Sequence, residues 1–132
     1  MLQRHEGLRL RPYRDSTGKL TIGVGRNLDS VGLSEAEAYH LLDNDIDAAV
    51  NALTAVLPVF AALDDVRQEV LIDMCFNEGI LRFTSANPKM IRALERKDYT
   101  LAAAEMLNGP WKDQVHARAE EMASALARGD YD

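Results

Sequence analysis

The chain has 132 residues, of which 47% are hydrophobic and 27% charged, and its formal net charge is −6. That length fits one domain able to bury about two-thirds of the surface its unfolded form exposes, and the hydrophobic share excludes a disordered chain. Neutralising phosphates needs clustered Lys and Arg, so the acidic balance argues against nucleic acid as a partner.

The opening residues Met1-Leu2-Gln3-Arg4-His5-Glu6 contain no apolar run of signal-peptide type, and no later stretch is long enough for a membrane span. The expectation is a soluble chain made in the cytoplasm without a signal peptide, with no membrane insertion. The single cysteine, Cys75, permits no internal disulfide. It lies in the apolar run Val70 to Phe76 and reads as a small buried filler. A monomer is expected.

In chain order, residues 1 to about 8 predict a short helix, followed by turn signals at Gly7, Pro12, Gly18, Gly23 and Gly25. Leu20-Thr21-Ile22-Gly23-Val24 alternates as a short strand, and Asp15-Ser16-Thr17-Gly18 before it has turn composition, so a hairpin is expected. Ser34-Glu35-Ala36-Glu37 is a capping box that opens a long helix with apolar positions at Leu42, Ile46, Ala49, Val50 and Leu53.

Pro58 ends that pattern. A second helix is predicted from about Asp64 to Glu78, stopped at Gly79, with apolar residues nearly encircling its second half. Asn87-Pro88 predicts an N-cap and first helical residue, with the helix running to about Lys97. An alanine-rich helix follows from Tyr99 and stops at Asn108-Gly109-Pro110. The last helix is predicted over Asp113 to Arg128, with Val115, Ala119, Met122 and Leu126 on one face.

The sum is a predominantly helical α+β domain spanning residues 1–132. It has an N-terminal lobe with the hairpin over about 1–33, a connecting helix over about 34–54, and a helical lobe over about 55–132. Such a layout leaves a cleft where its parts meet, the usual place for a ligand.

Glu6 ends the first predicted helix, Asp15 begins the turn and Thr21 stands on the returning strand. Glycoside hydrolysis needs two carboxyl groups in unlike environments, one protonated to serve the leaving oxygen and one ionised. Glu6 and Asp15 offer such a pair, although a helix-end glutamate and a turn aspartate are also common without any activity.

The whole stretch decides between these readings. Glu-Gly-x-x-Leu-x-x-Tyr-x-Asp-x-x-Gly-x-x-Thr-Ile-Gly-x-Gly, from Glu6 to Gly25, closely resembles the signature of the phage-type lysozymes, glycoside hydrolase family 24. Asn44 to Val50 is similar to the inter-lobe helix of the T-even members of that family, and Leu63 to Gly79 to their buried central helix. Phe83-Thr84-Ser85 and Trp111-x-x-Gln114-x-x-x-Arg118-Ala119 also correspond, so the resemblance covers nearly the whole chain.

The resemblance implies a lysozyme-like fold and a muramidase. Its substrate would be bacterial peptidoglycan, cut at the β-1,4 bond between N-acetylmuramic acid and N-acetylglucosamine. It implies Glu6 as general acid, Asp15 as the carboxylate that orients and activates water, and Thr21 as the holder of that water. It further implies Gly25, Phe76, Trp111, Gln114 and Arg118 as substrate-binding or supporting residues, with inversion as the outcome. Arg118 matches an arginine facing the catalytic glutamate. Such a cation lowers a carboxyl pKa, so burial has to act against it if Glu6 is to stay protonated. No metal or cofactor is implied, and the enzyme would reach the wall only after release from the cytoplasm. The alternative is a weak or inactive peptidoglycan-binding protein on the same fold.

The chain departs from the T-even pattern in places. Arg26 replaces a histidine, which makes an ion pair with Asp45 available, and the stretch from Gly25 to Ser34 is shorter. Val115, His116 and Ala117 replace polar or rigid residues. Other motifs are incomplete. His5-Glu6 lacks the second zinc histidine, because position 9 is Arg9, and Asp43-x-Asp45-x-Asp47 lacks the glycine of a calcium loop. Gly23-x-Gly25 lacks the third glycine of a dinucleotide fingerprint, and His40 and His116 have no partners at ligand spacing.

Overall fold

A computed structural model of the chain describes residues 1–110 and 118–131. Among these are seven helices and one three-stranded antiparallel sheet, the α+β and mainly helical class expected of a lysozyme-like fold. The chain separates into two compact units, Met1–Leu42 and Asp43–Asp132. The division falls inside the long second helix.

The first unit contains α1 (Leu2–Glu6), β1 (Arg9–Arg14), β2 (Leu20–Gly23), β3 (Arg26–Asn27) and the start of α2 (Glu35–Val56). The sheet order is β1-β2-β3, so the expected hairpin gains a third short strand. Edge position suits β1, because Pro12 has no N–H to give to a ladder. Its register shifts between the pairs Arg9↔Gly23 and Tyr13↔Thr21, so the strand bulges around the proline.

The predicted capping box forms. Glu37 N donates to Ser34 Oγ at 3.1 Å and Ser34 N donates to Glu37 Oε1 at 2.9 Å, which satisfies two otherwise orphan donors at the start of α2. The same glutamate is the partner of Arg26 within the first unit. The guanidinium is engaged by both carboxylate oxygens of Glu37, at 2.8 and 2.6 Å, and it also donates to Gly32 O at 3.1 Å. Glu37 stands at the helix start eleven residues along the chain, and the loop between delivers it to Arg26 in the two-pronged geometry that guanidinium favours. The ion pair, with help from the Ser34 backbone and hydroxyl, lowers the Glu37 carboxyl to about 2.

The second unit continues α2, passes through a 3₁₀ turn at Pro58–Ala62, and adds α3 (Asp65–Glu78), α4 (Ile80–Ala86), α5 (Pro88–Glu95), α6 (Tyr99–Asn108) and α7 (Arg118–Arg128). Its core is built on Leu53, Leu57, Phe60, Val70, Leu71, Met74, Phe83, Met90, Leu94, Met106 and Leu126. Burying each such side chain contributes about 1.5–3 kcal/mol. By contrast, Thr21 is the one buried side chain among the described residues of the first unit.

Asp64 caps α3, and the helix stops at Gly79, whose φ of 79° is a conformation open to glycine. Arg67 in its first turn ties three helices together. Its guanidinium donates to Asp64 Oδ1 at 2.9 Å, Leu126 O at 2.7 Å and Ala127 O at 2.9 Å, and lies 3.7 Å from the centre of the Tyr99 ring.

Two expectations change in this unit. An extra helix, α4, stands between α3 and α5. Asn87 caps nothing with its side chain, which turns inward and is buried. The N-terminal part of the predicted last helix, residues 113–117, lies outside the described residues.

Candidate active site

The signature stretch folds wholly within the first unit, and each of its chemical residues is set by local structure. Glu6 is the last residue of α1 and is exposed, so the burial expected of a proton donor is not supplied by this unit itself. Its carboxyl is seated on the backbone of Gly25. A β-carbon at position 25 would stand 2.8 Å from Glu6 Oε2 and 3.0 Å from its Cδ, and Gly25 also has φ +69°. The positive φ favours glycine there, and any β-carbon would push the Glu6 carboxyl aside.

Asp15 opens the turn between β1 and β2. Its Oδ1 accepts from Thr17 N at 2.9 Å, Thr17 Oγ1 at 2.8 Å and Lys19 N at 2.8 Å. The backbone bond from Lys19, then the hydroxyl bond from Thr17, hold the Asp15 carboxyl below its ordinary value against a small opposing effect of burial. Asp15 is therefore a carboxylate at any pH near neutrality, and all three of these bonds fall on one oxygen.

Thr21 is 3% exposed in the middle strand, paired with Tyr13 on one side and Asn27 on the other. Its hydroxyl donates to Lys19 O at 2.9 Å, and the same carbonyl accepts Asp15 N at 2.9 Å. One residue's backbone thus binds both Asp15 and Thr21. With its proton committed, Thr21 Oγ1 can only accept a further bond.

Arg9, Arg11 and Arg14 are exposed along β1, with the Arg9 guanidinium 4.7 Å from the centre of the Tyr13 ring. Against an overall charge of −6 these give the first unit a basic strand.

A scan against family descriptions matches the phage lysozyme family over residues 3–128. The chain belongs to the phage lysozyme family. Among relatives, an endolysin of Salmonella phage P22 is 32% identical over 80% of this chain and 75% of its own length. An endolysin of Acyrthosiphon pisum secondary endosymbiont phage 1 is 30% identical over 97% and 86%, respectively. A probable T4-type lysozyme of Dictyostelium discoideum is 25% identical over 98% and 92%. Membership makes this chain a lysozyme-type peptidoglycan hydrolase.

Phe76 and Arg118, which the resemblance marks as supporting residues, lie in the second unit. Phe76 is 52% exposed on α3 and lines a cavity of about 380 Å³ with Asp45, Ala48, Ala49, Ala52, Cys75 and Ile80. Cys75 is buried, as its apolar run predicts, and burial pushes its thiol pKa up. Arg118 donates to Asp73 Oδ2 at 3.2 Å, and Asn77 Nδ2 donates to Asp73 Oδ1 at 2.8 Å. Sequence reading missed Asp73 and Asn77, although their i, i+4 spacing on a helix was the available signal. Trp111, Gln114, Val115 and His116 lie outside the described residues. Among those described, no group of three His, Cys, Asp or Glu side chains is arranged to hold a metal ion, and no helix is long and apolar enough to cross a membrane.

Proposed function

We propose that this protein is a muramidase that cleaves the β-1,4 bond between N-acetylmuramic acid and N-acetylglucosamine with inversion. Glu6 gives its proton to the leaving oxygen. Asp15 takes a proton from the attacking water, and Thr21 holds that water. Gly25 and Arg118 support Glu6, while Phe76, Trp111 and Gln114 are substrate-binding or supporting residues.

The observation that carries this reading is the close approach of the Glu6 carboxyl to Gly25, which brings the first and last residues of the signature together: a β-carbon at position 25 would stand 2.8 Å from Glu6 Oε2. The hydrogen bonding of the other two residues fits their roles. An ionised Asp15 can accept a water proton, and Thr21 Oγ1 can accept the other, which leaves the water's lone pair to attack. Relatives named lysozyme and endolysin favour a wall substrate.

The stereochemical claim is tested by following the first product of a soluble muropeptide oligomer by proton NMR. Inversion predicts that the α-anomer is formed first, before mutarotation. Initial formation of the β-anomer would require a covalent, retaining route and overturn the roles given to Asp15 and Thr21.

A further inference from the structure

The helical unit contains a polar cluster that the proposed reaction does not use. Glu78 is the last residue of α3, and Asn87 follows α4 with only 3% of its surface exposed. Asn87 Nδ2 donates one proton to Glu78 Oε2 at 3.0 Å and the other to Phe83 O at 2.9 Å. Both amide protons are thus used, while Glu78 Oε1 and Asn87 Oδ1 remain as buried acceptors without a partner. Turning the amide over would set its oxygen against two other acceptors, so the orientation is fixed. Two linked side chains therefore hold two unmatched acceptors and no proton between them. Each buried acceptor left unmatched is expensive.

We propose that Glu78 and Asn87 form a proton-binding site, in which Glu78 is a carboxylic acid donating from Oε1 to Asn87 Oδ1 while Asn87 Nδ2 donates to Glu78 Oε2. One proton then closes an eight-membered acid–amide ring and satisfies both acceptors at once. The surroundings agree. Burial raises the Glu78 carboxyl pKa, against smaller lowering effects of the Asn87 bond and of Arg82 on α4. Cys75 on α3 also feels Glu78. Lys89 on α5 and Glu105 on α6 line, with Asn87, a cavity of about 440 Å³. On α7, which packs on α3, Arg118 is paired with Asp73 and Arg128 with Asp130, and Glu120 and Glu121 are exposed.

The ring joins the end of α3 to the start of α5. It also abuts the end of α6, where a β-carbon at Gly109 would stand 2.9 Å from Asn87 Oδ1. Ionising Glu78 leaves a buried charge facing an amide oxygen at this joint. Because the folded-state pKa is raised, the stability the proton confers is complete below the ordinary value of 4.5 and is lost as pH rises through the folded-state value.

The test is a carbon-13 NMR titration of the Glu78 carboxyl in the whole chain, with urea unfolding of the parent and Glu78→Gln between pH 4 and 9. Gln presents an N–H where the acid presents its O–H. Glu78 is expected to titrate above the ordinary carboxyl range. Glu78→Gln is expected to match the parent near pH 4 and exceed it at pH 8, by about tenfold in the folding equilibrium for each pH unit by which Glu78 titrates late. A bridging water would satisfy the same two oxygens with Glu78 ionised. Titration in or below the ordinary range, or a variant weaker than the parent by the same margin at both pH values, would overturn the proposal. The NMR titration of the parent decides alone if the variant does not fold.

Discussion

The carboxyl of Glu6 rests on the backbone of Gly25, with room for a hydrogen at that α-carbon and none for a methyl group: a β-carbon there would meet Oε2 at 2.8 Å. The end of α1 and the turn after β2 are thus matched in shape at the proposed proton donor. Gly25→Ala should displace the carboxyl and lower kcat by about 10- to 100-fold, the range expected when a reacting group moves by around 1 Å. It should also cost about 1 kcal/mol of stability from the positive φ. Wall-clearing rates with parallel thermal unfolding check this, and an unchanged kcat in a folded variant would remove the role given to the contact.

Asp15 owes part of its lowered pKa to the Thr17 hydroxyl at 2.8 Å. If Asp15 acts as the ionised base, the acid limb of the activity profile lies below the ordinary aspartate value of 3.8, with activity present above it and lost below. Thr17→Val removes one stabilising bond and should move that limb to higher pH with little change at neutral pH. An acid limb that stays in place would separate it from Asp15.

Glu37 couples stability to pH in the same sense. Its folded-state pKa of about 2 lies under the ordinary 4.5, so its contribution is complete above 4.5 and is lost as pH falls through about 2. Glu37→Gln should unfold more easily than the parent at pH 7, and its stability should depend less on pH below 4.5. Urea midpoints across pH 2–7 provide the check; parallel curves for the two proteins would contradict it.

Arg67→Ala should destabilise the helical unit by about 2–4 kcal/mol, since it abandons two carbonyls at the end of α7 and the ion pair with Asp64 Oδ1. For a chain of this size that lowers Tm by about 10 °C. Arg67→Lys should recover little, because one ammonium cannot reproduce the fork. Differential scanning calorimetry measures both.

Features set by near neighbours were legible in the sequence: the Ser34–Glu37 box, the Asp15 turn, the Thr21 strand and the α3 stop at Gly79 each depend on a few adjacent residues. Partner choice across longer spans was not. Arg26 reaches Glu37 eleven residues away and Arg118 reaches Asp73 forty-five away, and both choices depend on packing that no local pattern encodes. Asn87-Pro88 carried a sound capping signal, yet the buried Glu78 and Phe83 carbonyl drew the amide inward, a tertiary demand that outweighs local propensity. The close approach at Gly25 was foreshadowed by a Gly-x-Gly after a strand, but its partner was not.

The central claim is that Glu6 donates the proton, and the direct measurement is turbidity clearing of purified peptidoglycan by the parent and by Glu6→Gln, with the fold of each checked by circular dichroism. Gln keeps the shape seated on Gly25 and removes the acid. Clearing by the parent is expected, with a loss of at least about 100-fold in the variant, the lower reach of general acid catalysis. Equal clearing by two folded proteins would contradict it.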